Sequence, residues 1–156
     1  MANTGRDGAR LSSAIGQRRL ILLDTVAAMW LIEGRVLKHE ARKALRAAEV
    51  QATQLAVSAI SAWEACLLEK RGETGRSIGG NGAIWFHSAV RRLGLVVLPI
   101  DDRVAIASRR LPDPFLQDPG DRFVVATARI YDIPIITSDN HILAYAALGH
   151  VRAIAC

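Results

Sequence analysis

The stretch Leu20-Ile21-Leu22-Leu23-Asp24-Thr25 places four aliphatic residues directly before an acid and a hydroxyl. An unbroken apolar run of this length is typical of a strand buried on both faces, as in a parallel sheet. Open α/β sheets bind their ligands at the carboxyl ends of the strands. The stretch therefore predicts a central parallel strand with Asp24 at its functional end.

Strand-like and helix-like segments alternate along the rest of the chain. Short apolar runs predict strands at residues 54–58, 95–100, 133–137 and 151–155. Amphipathic or capped segments predict helices at residues 25–31, 39–50, 60–71, 83–93, 101–110, 119–131 and 139–148. Residues 72–82 contain five glycines and predict a loop. This alternation is typical of βαβ units, so we expect an α/β fold with helices on both faces of a parallel sheet.

The composition predicts one globular domain. The chain has 156 residues, is 51% hydrophobic and carries a formal net charge of +5. Four arginines against one aspartate give residues 1–19 a charge of +3, so we expect a flexible tail before a folded domain at residues 20–156. No run of 18 apolar residues predicts a membrane span, and Cys66 and Cys156 lack disulfide or zinc spacing. We therefore expect a cytoplasmic protein.

Glu64 lies where a carboxylate is costly. The apolar stripe of the predicted helix at residues 60–71 includes Ile60 and Trp63, which predicts that Trp63 belongs to the core. Glu64 follows Ile60 by four residues and falls within this stripe, which is unfavourable unless the acid is paired or bound to a metal. The alternative is an S-x-x-E capping box, in which Ser61 and Glu64 satisfy the start of the helix.

Asp121 has a similar position at the head of a buried helix face. Val124 and Val125 follow it by three and four residues. The alternative is again structural, because Asp118 can cap this helix, Pro119 suits its first position and an acid at Asp121 favours the helix dipole. Asp118 is explained as that cap and remains a further candidate metal ligand.

Asp139 follows the predicted strand at residues 133–137, as Asp24 follows the first strand. A helix cap is the alternative here too. Helices that follow parallel strands begin at the carboxyl edge of the sheet, so Asp24, Glu64, Asp121 and Asp139 can share one pocket there. The hypothesis from the sequence is therefore that these four carboxylates lie together in one pocket at the carboxyl edge of the sheet.

Several carboxylates in one pocket repel each other and raise each other's pKa. A divalent cation removes this repulsion, and all-oxygen ligands favour Mg²⁺ or Mn²⁺ over zinc or copper. Such ions support hydrolysis of phosphodiesters. The acids therefore indicate metal-dependent phosphoryl chemistry.

The acids stand in segments that resemble those of PIN-domain nucleases, most closely VapC-type toxins of bacterial toxin–antitoxin pairs. The resemblance extends from about Leu20 to Ala155. The segments that carry it are Leu22–Thr25, Val57–Glu64, Asp118–Ala128 and Thr137–Asp139. Their order and spacing together make the resemblance specific, whereas each one alone is weak.

The resemblance implies a three-layer PIN-like fold with a mostly parallel central sheet flanked by helices. It implies a Mg²⁺- or Mn²⁺-dependent endoribonuclease that leaves a 5′-phosphate, is inhibited by a cognate antitoxin protein and is often a homodimer. Asp24, Asp121 and Asp139 would bind the metal, and Glu64 would bind it or orient the attacking water. Asp118 is the further candidate ligand.

Several other residues are candidates for supporting roles. Thr25, Thr137 or Ser138 would donate hydrogen bonds to the carboxylates. Arg122 would contact phosphate, or be an ordinary surface arginine. Trp85 and Phe86 would belong to a partner surface. The basic residues that could line an RNA path are Lys70, Arg71, Arg76, Arg91, Arg92, Arg109 and Arg110.

The sequence departs from many VapC relatives at two positions. Val26 stands where many have histidine, and Gln117 stands where many have arginine. Neither change removes a carboxylate, but RNA contacts or target choice could differ. Three other functions stay open: a PIN nuclease of RNA processing, a phosphatase or phospho-receiver, and a non-catalytic binding module whose acids serve only as caps. An aspartyl phosphatase would need an acid in place of Val26.

Overall fold

Five strands form a single parallel sheet at the centre of the molecule. The computed structural model describes residues 19–71, 80–114 and 116–156. In these ranges the sheet order is β3-β2-β1-β4-β5, and each neighbouring pair is parallel. The strands are β1 (Leu20–Leu23), β2 (Gln54–Ser58), β3 (Val96–Leu98), β4 (Ile135–Thr137) and β5 (Ala153–Ala155). The predicted parallel sheet is thus confirmed, with β1 in the middle.

Helices cover both faces of the sheet. They are α1 (Thr25–Glu33), α2 (His39–Val50), α3 (Ile60–Arg71), α4 (Gly82–Leu93), α5 (Asp102–Arg109), α6 (Pro119–Tyr131) and α7 (Asn140–Ala147). Alternate residues of β1 face opposite cores, because Leu23 packs with α1, α2 and α4 while Leu22 packs with α6 and α7. The result is the predicted three-layer α/β fold. No helix within the described ranges is long and apolar enough to cross a membrane.

Most predicted element boundaries agree with the structure, and the last three strands are shorter than predicted. Pro99 and Pro134 lie within the predicted third and fourth strands, and proline has no N–H to donate to a ladder. The last strand is shortened by a turn at Gly149, whose φ is 83°. The predicted tail and glycine-rich loop fall outside the described residues except for residue 19 and residues 80–82, so both stay predictions.

The tryptophan assignments from the sequence are wrong. Trp63 is 55% exposed, whereas Trp85 and Phe86 are 5% and 7% exposed and belong to the core. The cause is the close packing of α3 on α4. A Cβ on Gly82 would lie 2.4 Å from the carbonyl oxygen of Ala65, so small residues form the contact and Trp63 lies on the opposite face of α3. Trp85 and Phe86 therefore do not form the predicted partner surface.

Candidate functional site

Five acids gather at the carboxyl edge of the sheet. Asp24 follows β1 and Asp139 follows β4, and each begins the next helix as its N-cap. Glu64 lies in the second turn of α3, which follows β2, and Asp118 and Asp121 lie at the start of α6. We call these five residues the carboxylate cluster.

The Asp24 carboxylate is buried and held by donors from two elements. It is 7% exposed. The Thr137 hydroxyl donates to one oxygen, and the Ala27 backbone N–H donates to the other. Burial raises the pKa of Asp24 and the charge of Asp139 adds to this, while the two hydrogen bonds act in the opposite direction. The side chain is therefore fixed in direction although its charge is unfavourable.

Glu64 reaches across to α1 instead of capping its own helix. The Thr25 hydroxyl donates to its carboxylate, and the Ser61 hydroxyl lies 2.8 Å from Thr25 Oγ1. The capping-box alternative is wrong, because α3 begins at Ile60 and Ser61 is already inside it. Burial raises the pKa of Glu64, with further contributions from the negative charges of Asp118 and Asp24.

Asp121 interacts unfavourably with the charges of all four other acids in the cluster. Its pKa is raised to about 7, first by burial and then by the charges of Asp139, Asp118, Glu64 and Asp24. Unlike the other four acids, its carboxylate accepts no hydrogen bond from the described residues. These interactions show that the five acids lie within electrostatic reach of one another.

Gly120 allows two of the acids to approach the first turn of α6. A Cβ at this position would lie 2.2 Å from Glu64 Oε1 and 2.9 Å from Asp118 Oδ1. Any side chain would therefore displace the Glu64 carboxylate. Sequence reasoning missed this glycine, although its place between Pro119 and Asp121, both singled out, was a usable signal.

The capping alternatives explain three of the five acids. Asp118 accepts from the backbone N–H of Asp121 at 3.1 Å. Asp139 accepts from the N–H groups of His141 and Ile142 at 2.7 and 3.1 Å, and its own N–H donates to Thr137 Oγ1 at 2.9 Å. Asp24 caps α1 in the same way. Among the described residues, no cap hydrogen bond is made by the carboxylates of Glu64 and Asp121, although Asp121 lies in the first turn of α6, where an acid favours the helix dipole.

The donor set fits a hard divalent cation. It consists of carboxylate oxygens, the ligands that Mg²⁺ and Mn²⁺ prefer. Burial, reinforced by the charge of Asp24, raises the pKa of the nearby Cys156 thiol to about 11, so the thiol is protonated at neutral pH in the metal-free protein. In the described ranges, no three acidic, histidine or cysteine side chains already stand in positions to hold an ion together.

The arginines predicted to contact RNA have varied positions. Arg122 donates to the backbone carbonyls of Leu116 and Gln117, so it holds the preceding segment. Arg91 and Arg92 occupy the last turn of α4, next to the start of β3 and thus at the opposite edge of the sheet. Arg109 and Arg110 lie at the far end of α5, which begins at the carboxyl edge. The structure describes neither Arg76 nor the side chains of Lys70 and Arg71.

The sequence of residues 21–148 matches the family described as PIN domain. The chain belongs to the PIN-domain family. The match includes all five acids of the carboxylate cluster, at the edge where the structure brings them together. The fold that the resemblance implied is therefore confirmed.

Solved structures share the fold of this PIN domain at low sequence identity. VapBC2 from Rickettsia felis, bound to a DNA fragment from its promoter, gives a TM-score of 0.61 at 11% identity and covers 88% of this chain and 98% of that one. A toxin–antitoxin complex from Klebsiella pneumoniae gives a TM-score of 0.51 at 23% identity and covers 76% of this chain and 86% of that one. FitAB bound to an IR36 DNA fragment gives a TM-score of 0.49 at 18% identity and covers 86% of this chain and 94% of that one. No curated protein matches the sequence at a significant level.

Proposed function

We propose that this PIN domain is a Mg²⁺- or Mn²⁺-dependent endoribonuclease and the toxin of a toxin–antitoxin pair. PIN domains are generally nucleases, which supports hydrolysis of a phosphodiester. The observation that carries the proposal is the convergence of five acids at one sheet edge, where burial first, and then the charges of the other four acids, raise the pKa of Asp121 to about 7. A chain gains nothing in stability from such repulsion, whereas a cation site needs these charges close together.

Asp24, Asp121 and Asp139 would hold the ion, Glu64 would hold it or orient the attacking water, and Asp118 is a further candidate ligand. A bound divalent ion supplies the positive charge that neutralises the phosphodiester and stabilises the leaving oxygen. The chain's own groups prepare the ligands for this task. Thr137 and the Ala27 N–H fix the direction of Asp24, and Thr25 does so for Glu64.

Positive charge beside the cluster supports a polyanionic substrate. The charges of Asp24 and Lys38 both reach the buried Cys156 thiol, where Asp24 raises its pKa and Lys38 lowers it, so Lys38 at the start of α2 lies near the site. The side chains of Lys38, Arg42, Lys43 and Arg46 are exposed and form no ion pair with described residues. Two glutamates of α2 offset part of this charge, and the exposed face remains positive. RNA phosphates would be attracted to it.

The toxin assignment draws on the named relatives of the fold. The Klebsiella pneumoniae structure is described as a toxin–antitoxin complex, and the Rickettsia felis structure as VapBC2 bound to a DNA fragment from its promoter. By analogy, this chain would bind a cognate antitoxin protein, form a homodimer and act in the cytoplasm. A PIN nuclease of RNA processing would share the same site. Binding of an antitoxin is therefore the property that distinguishes a toxin from such a nuclease.

The direct test is incubation of the purified chain with labelled structured RNAs in Mg²⁺, Mn²⁺ or EDTA, beside Asp24→Asn. Cleavage is expected with either metal and is expected to be lost in EDTA and in the variant. Cleavage that persists in EDTA or in Asp24→Asn would show that the metal-nuclease proposal is wrong. Co-purification with the product of a neighbouring short reading frame, with loss of cleavage in the complex, tests the toxin assignment.

A further inference from the structure

A cleft of about 300 Å³ adjoins the carboxylate cluster and shares Asp118 and Asp121 with it. Its other walls come from the segment before α6 and from one face of α7. Leu116 and Gln117 line the first wall, and Ala144 lines the second together with His141 and Leu148. The spacing of 3, 4 and 7 residues along α7 puts these three side chains on the same helix face. The cleft thus opens directly onto the proposed catalytic acids.

The irregular wall of the cleft is held in place by hydrogen bonds to its backbone. The Tyr145 hydroxyl donates to the Pro112 carbonyl at 2.7 Å, and His150 Nε2 lies 3.1 Å from the Asp113 carbonyl oxygen. Arg122 donates to the carbonyls of Leu116 and Gln117, the latter at 2.8 Å. Four carbonyls of one short segment are therefore bound by side chains from elsewhere. Such support keeps the cleft open for a ligand, because a preformed site loses little entropy on binding.

The chemistry of the cleft excludes a phosphate and suits a planar, uncharged group. Asp118 and Asp121 would repel an anion at its inner end. Leu116, Ala144 and Leu148 offer an apolar surface, and Leu148 is 57% exposed although it is a large hydrophobic residue. His141 and Gln117 provide polar groups. A nucleobase has apolar faces and polar edges, and it is the uncharged part of the nucleotide that the proposed function would bring here.

We propose that this cleft binds the nucleobase next to the scissile phosphate and thereby sets the sequence preference of cleavage. The proposal rests on the nuclease function and names its specificity site. It also gives a role to Gln117, a polar residue in the lining of the cleft. Arg122 is then a positioning residue that holds the wall of the cleft.

The test uses Ala144→Trp, which fills the cleft from an exposed position of α7, and Ile130→Trp as the control on an exposed position in the last turn of α6, away from the cleft. Two RNAs are compared, one intact and one with an abasic ribose next to the cleaved bond. Wild type should cleave the abasic RNA about 10- to 100-fold more slowly, which is the range expected for loss of one base contact. Ala144→Trp should cleave intact RNA as slowly as wild type cleaves abasic RNA. Its cleavage rate on abasic RNA should not be lower than its rate on intact RNA. Ile130→Trp should resemble wild type.

Three results would overturn the proposal. Ala144→Trp could cleave intact RNA at the wild-type rate, or it could slow both RNAs by the same factor. It could also cleave normally and escape inhibition by the antitoxin, which would make the cleft a protein-binding site. Absence of cleavage by the wild type on any RNA would instead refute the nuclease function on which the subsite depends.

Discussion

Thr137 donates its hydroxyl hydrogen bond to the carboxylate of Asp24, although 113 residues separate them in sequence. Thr137 is the last residue of β4, and Asp24 directly follows β1, the parallel strand beside it. Both are buried, so the bond is shielded from water. The central strand therefore presents an acid whose direction is set by the strand beside it.

Thr137→Val should lower RNA cleavage by about 10- to 100-fold, the range found when a donor that orients a metal ligand is removed. The valine keeps the shape of the side chain and removes the hydroxyl. Thr127→Val is the matched control, because Thr127 is equally buried and donates to the Phe123 carbonyl away from Asp24. Cleavage rates and melting temperatures of both variants test the prediction. If Thr137→Val and Thr127→Val lose the same amount of activity at the same melting temperature, the special role of Thr137 is contradicted.

Gly120→Ala should reduce cleavage at least about tenfold with little change in stability. The added Cβ would meet the flexible end of Glu64, which can move aside, so the cost falls on the position of the carboxylate. Alanine also favours a helix more than glycine does. The double variant with Glu64→Ala is the control, because only the smaller contact with Asp118 remains once the Glu64 carboxylate is gone, so the effect of Gly120→Ala should be much smaller. A loss in that background as large as in the wild type would mean that the glycine acts in another way.

The pH dependence of stability should reflect Asp121. Its folded pKa of about 7 lies above the ordinary value of 3.8, so the folded state holds a proton that the unfolded chain has released between these values. The free energy of unfolding should therefore fall as pH rises from about 4 to about 7 in EDTA. Asp24 and Glu64 act in the same direction.

Urea titrations at pH 5 and pH 8 measure this change. Mg²⁺ should restore stability more at pH 8, where its ligands are ionised. Asp121→Asn should flatten the dependence of the metal-free protein. A wild-type stability that rises over this range, or an unchanged profile in Asp121→Asn, would disprove the assignment.

Arg42→Gln with Arg46→Gln should weaken RNA binding about tenfold at low salt. Loss of two phosphate contacts should also reduce the slope of log affinity against log salt by about 1.4, since each single-strand contact contributes about 0.7. Anisotropy of labelled RNA in EDTA measures both quantities without cleavage. The control is Arg91→Gln with Arg92→Gln, which removes the same charge at the opposite edge of the sheet. Equal effects of the two pairs would show that α2 has no specific role.

The alternation of strands and helices and the placement of the acids at one edge of a parallel sheet were predictable, because both follow from local pattern. Leu20–Leu23 is apolar at every position, so it must be buried on both faces, and the next residue must emerge at the carboxyl edge. The same logic put Asp139 beside Asp24. It could not decide between capping and metal binding, because several of these acids do cap helices.

The errors arose where burial depends on a neighbouring element. Trp63 matches the helical period of a core residue, but the face of α3 that α4 covers is selected by the close approach of Gly82 to Ala65. The positive face of α2 was missed because its importance comes from Lys38 lying near Cys156, at the other end of the chain. Neither relationship is encoded in local spacing.

Binding of Mn²⁺ by the purified chain tests the central claim most directly, since it needs no knowledge of the RNA target. Electron paramagnetic resonance of free Mn²⁺ would be measured with wild type, Asp121→Asn and Asp101→Asn. Asp101 is a matched control, because it caps α5 and pairs with Arg103 outside the carboxylate cluster. We predict that Asp121→Asn weakens Mn²⁺ binding by at least about tenfold, while Asp101→Asn binds as wild type does. Equal binding by all three proteins, or none by the wild type, would contradict the account.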